Sequence, residues 1–182
     1  MAEKRVVRES RQLHNYREDI RRQGYVPRAK VLTLERIAPD KKIRTFLGTP
    51  ASTVSWRIVR LFFADDDPFA LATSFIRTDL VPELTTSDVE ISMYAALQRR
   101  YDRKPVWAKE TYNAVAARGD TAAILTVATG APLLYSERVG YLRDMTPIEY
   151  SESFVRGDKF TVVIDWLPPM YTNDGEYLEP GT

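Results

Sequence analysis

Ser55-Trp56-Arg57-Ile58-Val59-Arg60-Leu61-Phe62-Phe63-Ala64, then Asp65-Asp66-Asp67-Pro68, then Phe69-Ala70-Leu71-Ala72-Thr73-Ser74-Phe75-Ile76 decide the fold. The two outer runs are rich in β-branched and aromatic residues, and the cluster between them is made of turn formers, so the spacing predicts a β-hairpin. Side chains alternate across a strand. Trp56, Ile58, Arg60, Phe62 and Ala64 therefore share one face, and Arg57, Val59, Leu61 and Phe63 the other. Both faces are largely apolar, so Arg60 is a guanidinium framed by Ile58 and Phe62, and its burial calls for a carboxylate or a ligand anion. A structural salt bridge and a ligand contact both meet that demand.

Outward from the hairpin, Lys30 to Ile37 reads as an earlier strand. A short helix follows, with Pro39 and Asp40 in its first turn, Ile43, Phe46 and Leu47 at helical spacing, and Gly48 as its stop. Downstream, Ser87-Asp88-Val89-Glu90 reads as a capping box for an amphipathic helix reaching about Tyr101. Lys104 to Asn113 reads as a strand, and Asp120 to Val127 as another short helix before the turn Thr129-Gly130-Ala131-Pro132. Strands are expected at Leu133 to Leu142, Ile148 to Phe154 and Lys159 to Trp166, and their short connections imply antiparallel neighbours. The sum is an α+β domain, an antiparallel sheet of about six strands with inserted helices.

Residues 1–24 carry seven Lys/Arg against four Asp/Glu with a sparse helical stripe at Val6, Leu13, Tyr16 and Ile20, and read as a solvated arm or linker helix. The tail, residues 168–182, is full of breakers and is expected to drape over the surface.

The 182 residues have a net charge of +1, which argues against a surface that binds polyanions wholesale. With no cysteine, there is neither a thiol nucleophile nor a cysteine-ligated metal. The only histidine, His14, lies in the charged arm, so a nucleophile–histidine dyad is not expected and no catalytic residue is assigned. The three aspartates of the turn lack the glycine and distal glutamate of a calcium loop, no glycine-rich phosphate loop appears, and no metal or cofactor is expected. The N-terminus has no apolar signal core and no run is long enough to span a membrane, which makes a cytoplasmic protein the plain reading.

Two further segments bear on Arg60. Ile148 to Phe154 alternates so that Glu149, Ser151 and Ser153 share a polar-leaning face, and Ser92 and Tyr94 fall in the first turns of the capped helix, where free N–H groups favour an anion. Each residue alone also fits core packing or capping.

The order of motifs resembles the UTRA effector-binding domain of GntR/HutC-type transcription regulators from Gly24 to Trp166. The marks are Gly24-Tyr25-Val26-Pro27-Arg28-Ala29-Lys30-Val31-Leu32, Ile58-Val59-Arg60-Leu61-Phe62, Ala72-Thr73-Ser74-Phe75-Ile76 and Ile91-Ser92-Met93-Tyr94-Ala95-Ala96-Leu97. Gly130-Ala131-Pro132-Leu133-Leu134, Pro147-Ile148-Glu149-Tyr150-Ser151 and Arg156-Gly157-Asp158-Lys159-Phe160 complete them.

The resemblance implies a chorismate lyase-like fold, homodimerisation, and an effector pocket between the sheet and its helices. It divides the chain into an arm (1–24), the effector-binding domain (25–167) and a tail (168–182), with DNA contact left to a winged-helix domain outside this sequence. Family pocket positions fall on Arg60, Ser92, Tyr94 and Glu149. Phe62 stands where the family has a second arginine, Ala72 where it has an acid two residues before Ser74, and Val155 where it has a tyrosine. These swaps imply an effector more apolar than a sugar phosphate. Two other readings stay open, a stand-alone dimerisation or interaction module and an enzyme of the chorismate-lyase type.

Overall fold

The structure, a computed structural model, describes residues 5–9 and 15–164 and, as backbone pairing alone, 170–171 and 177–178. It opens with strand β1 (Val6–Glu9) and helix α1 (Tyr16–Arg22), then β2 (Pro27–Ile37) and α2 (Lys41–Leu47). The hairpin follows as β3 (Ser55–Ala64) and β4 (Asp67–Arg77), then α3 (Thr86–Tyr101), β5 (Trp107–Ala116) and α4 (Gly119–Ile124). Strands β6 (Pro132–Tyr141), β7 (Pro147–Arg156) and β8 (Phe160–Val163) come next, with short pairings β9 (Met170–Tyr171) and β10 (Tyr177–Leu178) at the end.

Six strands form one antiparallel sheet in the order β2-β3-β4-β7-β6-β5. Its register aligns two rows of side chains on one face. One row runs Arg60, Ala72, Ser153, Ser136, Tyr112, and the other Ile58, Ser74, Ser151, Arg138, Glu110. The opposite face mixes apolar residues with Glu137 and Glu152, which pair with Lys42, and takes two short helices. There α2 packs Ile43 and Leu47 against Phe75, Val139 and Tyr150, while α4 sets Ala122 and Leu125 against Leu61 and Leu133.

The first face is covered by two different bodies. Helix α3 seals one end through Val89, Met93 and Leu97 against Ile58, Ile76 and Ile148, and the N-terminal segment seals the other through Val6, Tyr16 and Ile20 against Phe62, Phe69 and Val155. Between these two apolar seals the sheet presents its polar rows. Burial of a Val, Ile or Tyr-sized side chain is worth about 1.5–3 kcal/mol, so each cover is held mainly by its apolar anchors.

Local chemistry explains most element ends. Asp40 caps α2 by accepting from the N–H of Ile43 at 2.9 Å, and Gly48 ends it at φ 60°, the left-handed conformation that favours glycine. The capping box of α3 lies two residues earlier than the sequence suggests, on Thr85 and Asp88 rather than Ser87 and Glu90, because Thr85 is the residue still in extended conformation.

The N-terminal segment departs furthest from expectation. Rather than a solvated arm it supplies a strand and a helix whose Val6, Tyr16 and Ile20 are buried, and β1 runs parallel to β8. Strand β8 consequently leaves the main sheet instead of pairing with β7 as its short connection implied. The chain turns away at Gly157, whose N–H donates to the Pro132 carbonyl at 3.1 Å and where an added Cβ would lie 2.9 Å from that oxygen. His14 and Trp166 lie outside the described residues, as does most of the expected surface tail, of which only the β9–β10 pairing is described.

Candidate functional site

The polar gap between the two seals is a cavity. Its floor is the pair of side-chain rows, one wall is α3 around Ser92 to Tyr94, and the other is the N-terminal segment through Arg8, Asn15, Tyr16 and Arg17. The free space at its base is about 50 Å³, and the cavity is partly open to solvent.

Helix α3 is not continuous where it meets this cavity. Ser92 takes an extended conformation (φ −172°, ψ 103°), and its Oγ accepts from the N–H of Ala95 at 3.4 Å, so it caps a second helical segment, residues 93–101. Apart from that of Ala95, the N–H groups of that segment's first turn have no partner within the helix, and a helix start of this kind favours negative charge. The break also frees the Glu90 carbonyl, which accepts from Arg17 Nη1 at 2.9 Å.

Three arginines in or beside the cavity are at least nine-tenths buried, and their partners differ. Arg138, 8% exposed, donates to Glu110 at 2.7 Å. Arg8, 5% exposed, pairs with Asp19 at 2.7 Å and with Glu110 at 3.2 Å, and its guanidinium lies 4.6 Å from the centre of the Tyr16 ring. Arg60, 9% exposed, donates to the Ser74 hydroxyl at 3.3 Å and lies 5.1 Å from the Phe62 ring centre. No carboxylate among the described residues is in ion-pair contact with Arg60, and its buried Nε has no acceptor.

These environments set the proton affinities. Burial lowers the pKa of Arg60, against the opposing pull of Glu149 and Tyr94. Burial also opposes the charge on Arg8 and Arg138, yet Tyr16, Asp19 and Glu110 around Arg8, and Glu110 and Tyr94 around Arg138, hold both above the ordinary arginine value. In Glu110, burial would favour the neutral acid, but Arg138 and Arg8 keep its pKa below the usual range. Tyr94 donates to Glu149 Oε2 at 2.5 Å, and burial together with that carboxylate raises the phenol's pKa.

Arg60, Ser92, Tyr94 and Glu149, expected from sequence to meet, all line the cavity. So do Phe62, Ala72 and Ser74 of the secondary set. Val155 does not reach it. It lies one alternation beyond Ser153 on the same face and is packed under the N-terminal segment beside Phe62 and Ala72. Sequence reading overlooked Arg138, Glu110, Arg8 and Arg17. The alternation of Ser136 and Arg138 in the sixth strand is a usable signal for the first, whereas the N-terminal residues reach the cavity only through tertiary packing.

The fold of this sheet and its helices is shared with solved bacterial proteins. PhnF from Mycobacterium smegmatis superposes with a TM-score of 0.79 at 20% identity over 90% of this chain and 72% of that one. The separate effector domain of PhnF gives 0.76 at 21% identity, covering 86% of this chain and 98% of that one. The UTRA domain model matches residues 22–161, and the chain belongs to the UTRA domain family. It is 31% identical over 152 residues to the HTH-type transcriptional repressor NagR of Bacillus subtilis (strain 168), covering 83% of this chain and 62% of that protein. The chain thus spans about three fifths of the length of that relative.

Proposed function

We propose that this chain is the small-molecule-sensing domain of a GntR/HutC-type transcription regulator rather than an enzyme. One observation carries the reading: Arg60 is a buried guanidinium with no carboxylate among the described residues in contact, in a cavity whose other buried arginines are paired. An unpaired buried cation costs several kcal/mol of desolvation, and an anionic ligand at Arg60 offsets that cost on binding. The first turn of residues 93–101 adds N–H donors from the α3 side, and beside it Tyr94 donates to the buried carboxylate of Glu149.

The effector in this reading has one anionic group for Arg60 and an apolar body against Phe62, Ala72 and Met93, which makes it more apolar than a sugar phosphate. The domain works as a homodimer in the cytoplasm, and operator contact belongs to a helix-turn-helix domain of the kind named for the Bacillus subtilis relative. The functional unit includes Arg8, Asn15, Tyr16 and Arg17, because they line the cavity.

Thermal-shift screening of small organic acids, followed by calorimetry, tests the proposal. Organic acids are expected to raise the melting temperature of the native chain and not of Arg60→Met. Tight binding of sugar phosphates with none of organic acids overturns the effector class, and no shift from any anionic metabolite overturns the sensing role.

A further inference from the structure

Glu149 and Arg60 are opposite charges buried in one cavity, and neither is paired with the other. Among the described residues no cation is in ion-pair contact with Glu149, whose side chain accepts one hydrogen bond, from Tyr94. Arg60 is in the same position with the sign reversed. It holds the Ser74 hydroxyl at 3.3 Å, and its Nε has no acceptor among those residues. Burial depresses the proton affinity of Arg60 and Glu149 exerts the largest opposing pull, so the two groups interact across the cavity without touching.

The sheet register sets the gap between them. Ser74 pairs with Ser151, and Glu149 is the next residue on that face of β7, about 7 Å further along the strand. By reaching Ser74, Arg60 brings its guanidinium to the Ser74–Ser151 row, while Tyr94 holds the Glu149 carboxylate from the α3 side. Direct pairing would relieve the desolvation of both groups. The arrangement instead leaves a space a few bonds long between a buried cation and a buried anion.

We propose that the effector is a zwitterion, an amino acid with an apolar side chain, whose carboxylate meets Arg60 and whose ammonium meets Glu149. The inference rests on the sensing reading above and narrows its class of ligand. A plain acid at Arg60 brings a second negative charge near Glu149 and leaves the burial of that carboxylate unrelieved. A zwitterion adds one charge of each sign, so both buried groups gain a partner in a single binding event. Its apolar body lies against Phe62, Ala72 and Met93, and the side of the cavity open to solvent admits it.

Calorimetry on the native chain tests this with matched probes: L-leucine, 4-methylpentanoate, which lacks only the amino group, and 3-methylbutylamine, which lacks only the carboxylate. Leucine should bind at least about tenfold tighter than 4-methylpentanoate, the worth of one charge-assisted hydrogen bond, and the amine should bind weakest. Glu149→Gln, which keeps an acceptor for Tyr94, should make leucine and 4-methylpentanoate bind alike. Equal binding of those two to the native chain overturns the zwitterion and leaves the sensing role standing, and the native comparison decides this even where the variant does not fold. A leucine preference that survives Glu149→Gln overturns the place given to the ammonium, and an amine that binds as tightly as leucine overturns the place given to the carboxylate. Binding of none of the probes overturns the inference, and the sensing role then rests on the wider screen of acids alone.

Discussion

Arg60 and Arg138 stand on the same face of one sheet, are buried to within a percentage point of each other, and differ in what answers their charge. Arg138 has a carboxylate at 2.7 Å, which itself holds Arg8, so the β5–β6 side of the cavity is an electrostatically closed chain from Asp19 through Arg8 and Glu110 to Arg138. Arg60 has a serine hydroxyl and an aromatic face. Burial alone thus does not separate a structural cation from one reserved for a ligand, whereas the identity of the partner does.

The largest effect should come from breaking the closed side. Glu110→Gln keeps the shape of the side chain and removes the charge on which two buried arginines depend, and loss of one partner of a buried pair costs about 3–5 kcal/mol. Since Glu110 is partly exposed, about 3 kcal/mol is expected, read from the midpoint of urea unfolding. The same carboxylate sets a pH dependence. Its folded pKa is depressed by Arg138 and Arg8 against the opposing effect of burial, so its contribution is fully present above the ordinary glutamate value of about 4.3 and is lost as pH falls through the lower folded value. Stability measured from pH 6 downward should fall along this limb in the native chain and along a shallower one in Glu110→Gln.

A smaller effect of opposite sign is expected at Arg60. Replacement by methionine, similar in length and uncharged, removes a desolvation cost that a serine hydroxyl and an aromatic face offset only in part, and buried charges replaced by apolar groups are often neutral or stabilising. Arg60→Met should raise stability by about 1 kcal/mol. A loss comparable to that of Glu110→Gln would make Arg60 a structural cation and erase the contrast.

Much of this contrast was legible in sequence. The alternation of Ile58, Arg60 and Phe62, and that of Glu149, Ser151 and Ser153, placed the polar rows on one face, and the register of β3, β4 and β7 then aligned them. Helix α2 was equally plain, because Asp40 and Gly48 are local signals that need no tertiary contact. The N-terminal wall was not. Arg8 and Arg17 look like solvated charges in an arginine-rich run, and their burial follows from Val6, Tyr16 and Ile20, too sparse a stripe to announce a packed face. The break at Ser92 was also hidden. It falls within a run with helical spacing, and what holds it open, Arg17 on the Glu90 carbonyl, comes from 73 residues away. Val155 shows the converse limit, since sharing a face with Ser153 did not place it in the cavity.

The smallest expected effect sharpens the comparison from the helix side. Ser92 caps residues 93–101 through a long contact of 3.4 Å, so Ser92→Ala should cost about 0.5 kcal/mol, the low end for a lost N-cap. If the N–H groups of that turn share an anion with Arg60, the variant should weaken organic-acid binding by calorimetry more than its small stability loss suggests, because a frayed first turn no longer holds those donors in place. It should still bind better than Arg60→Met, since the guanidinium carries the full charge and the helix end about half of one. Unchanged affinity in Ser92→Ala would mean that Arg60 alone meets the anion, and that the break in α3 serves to free the Glu90 carbonyl for Arg17.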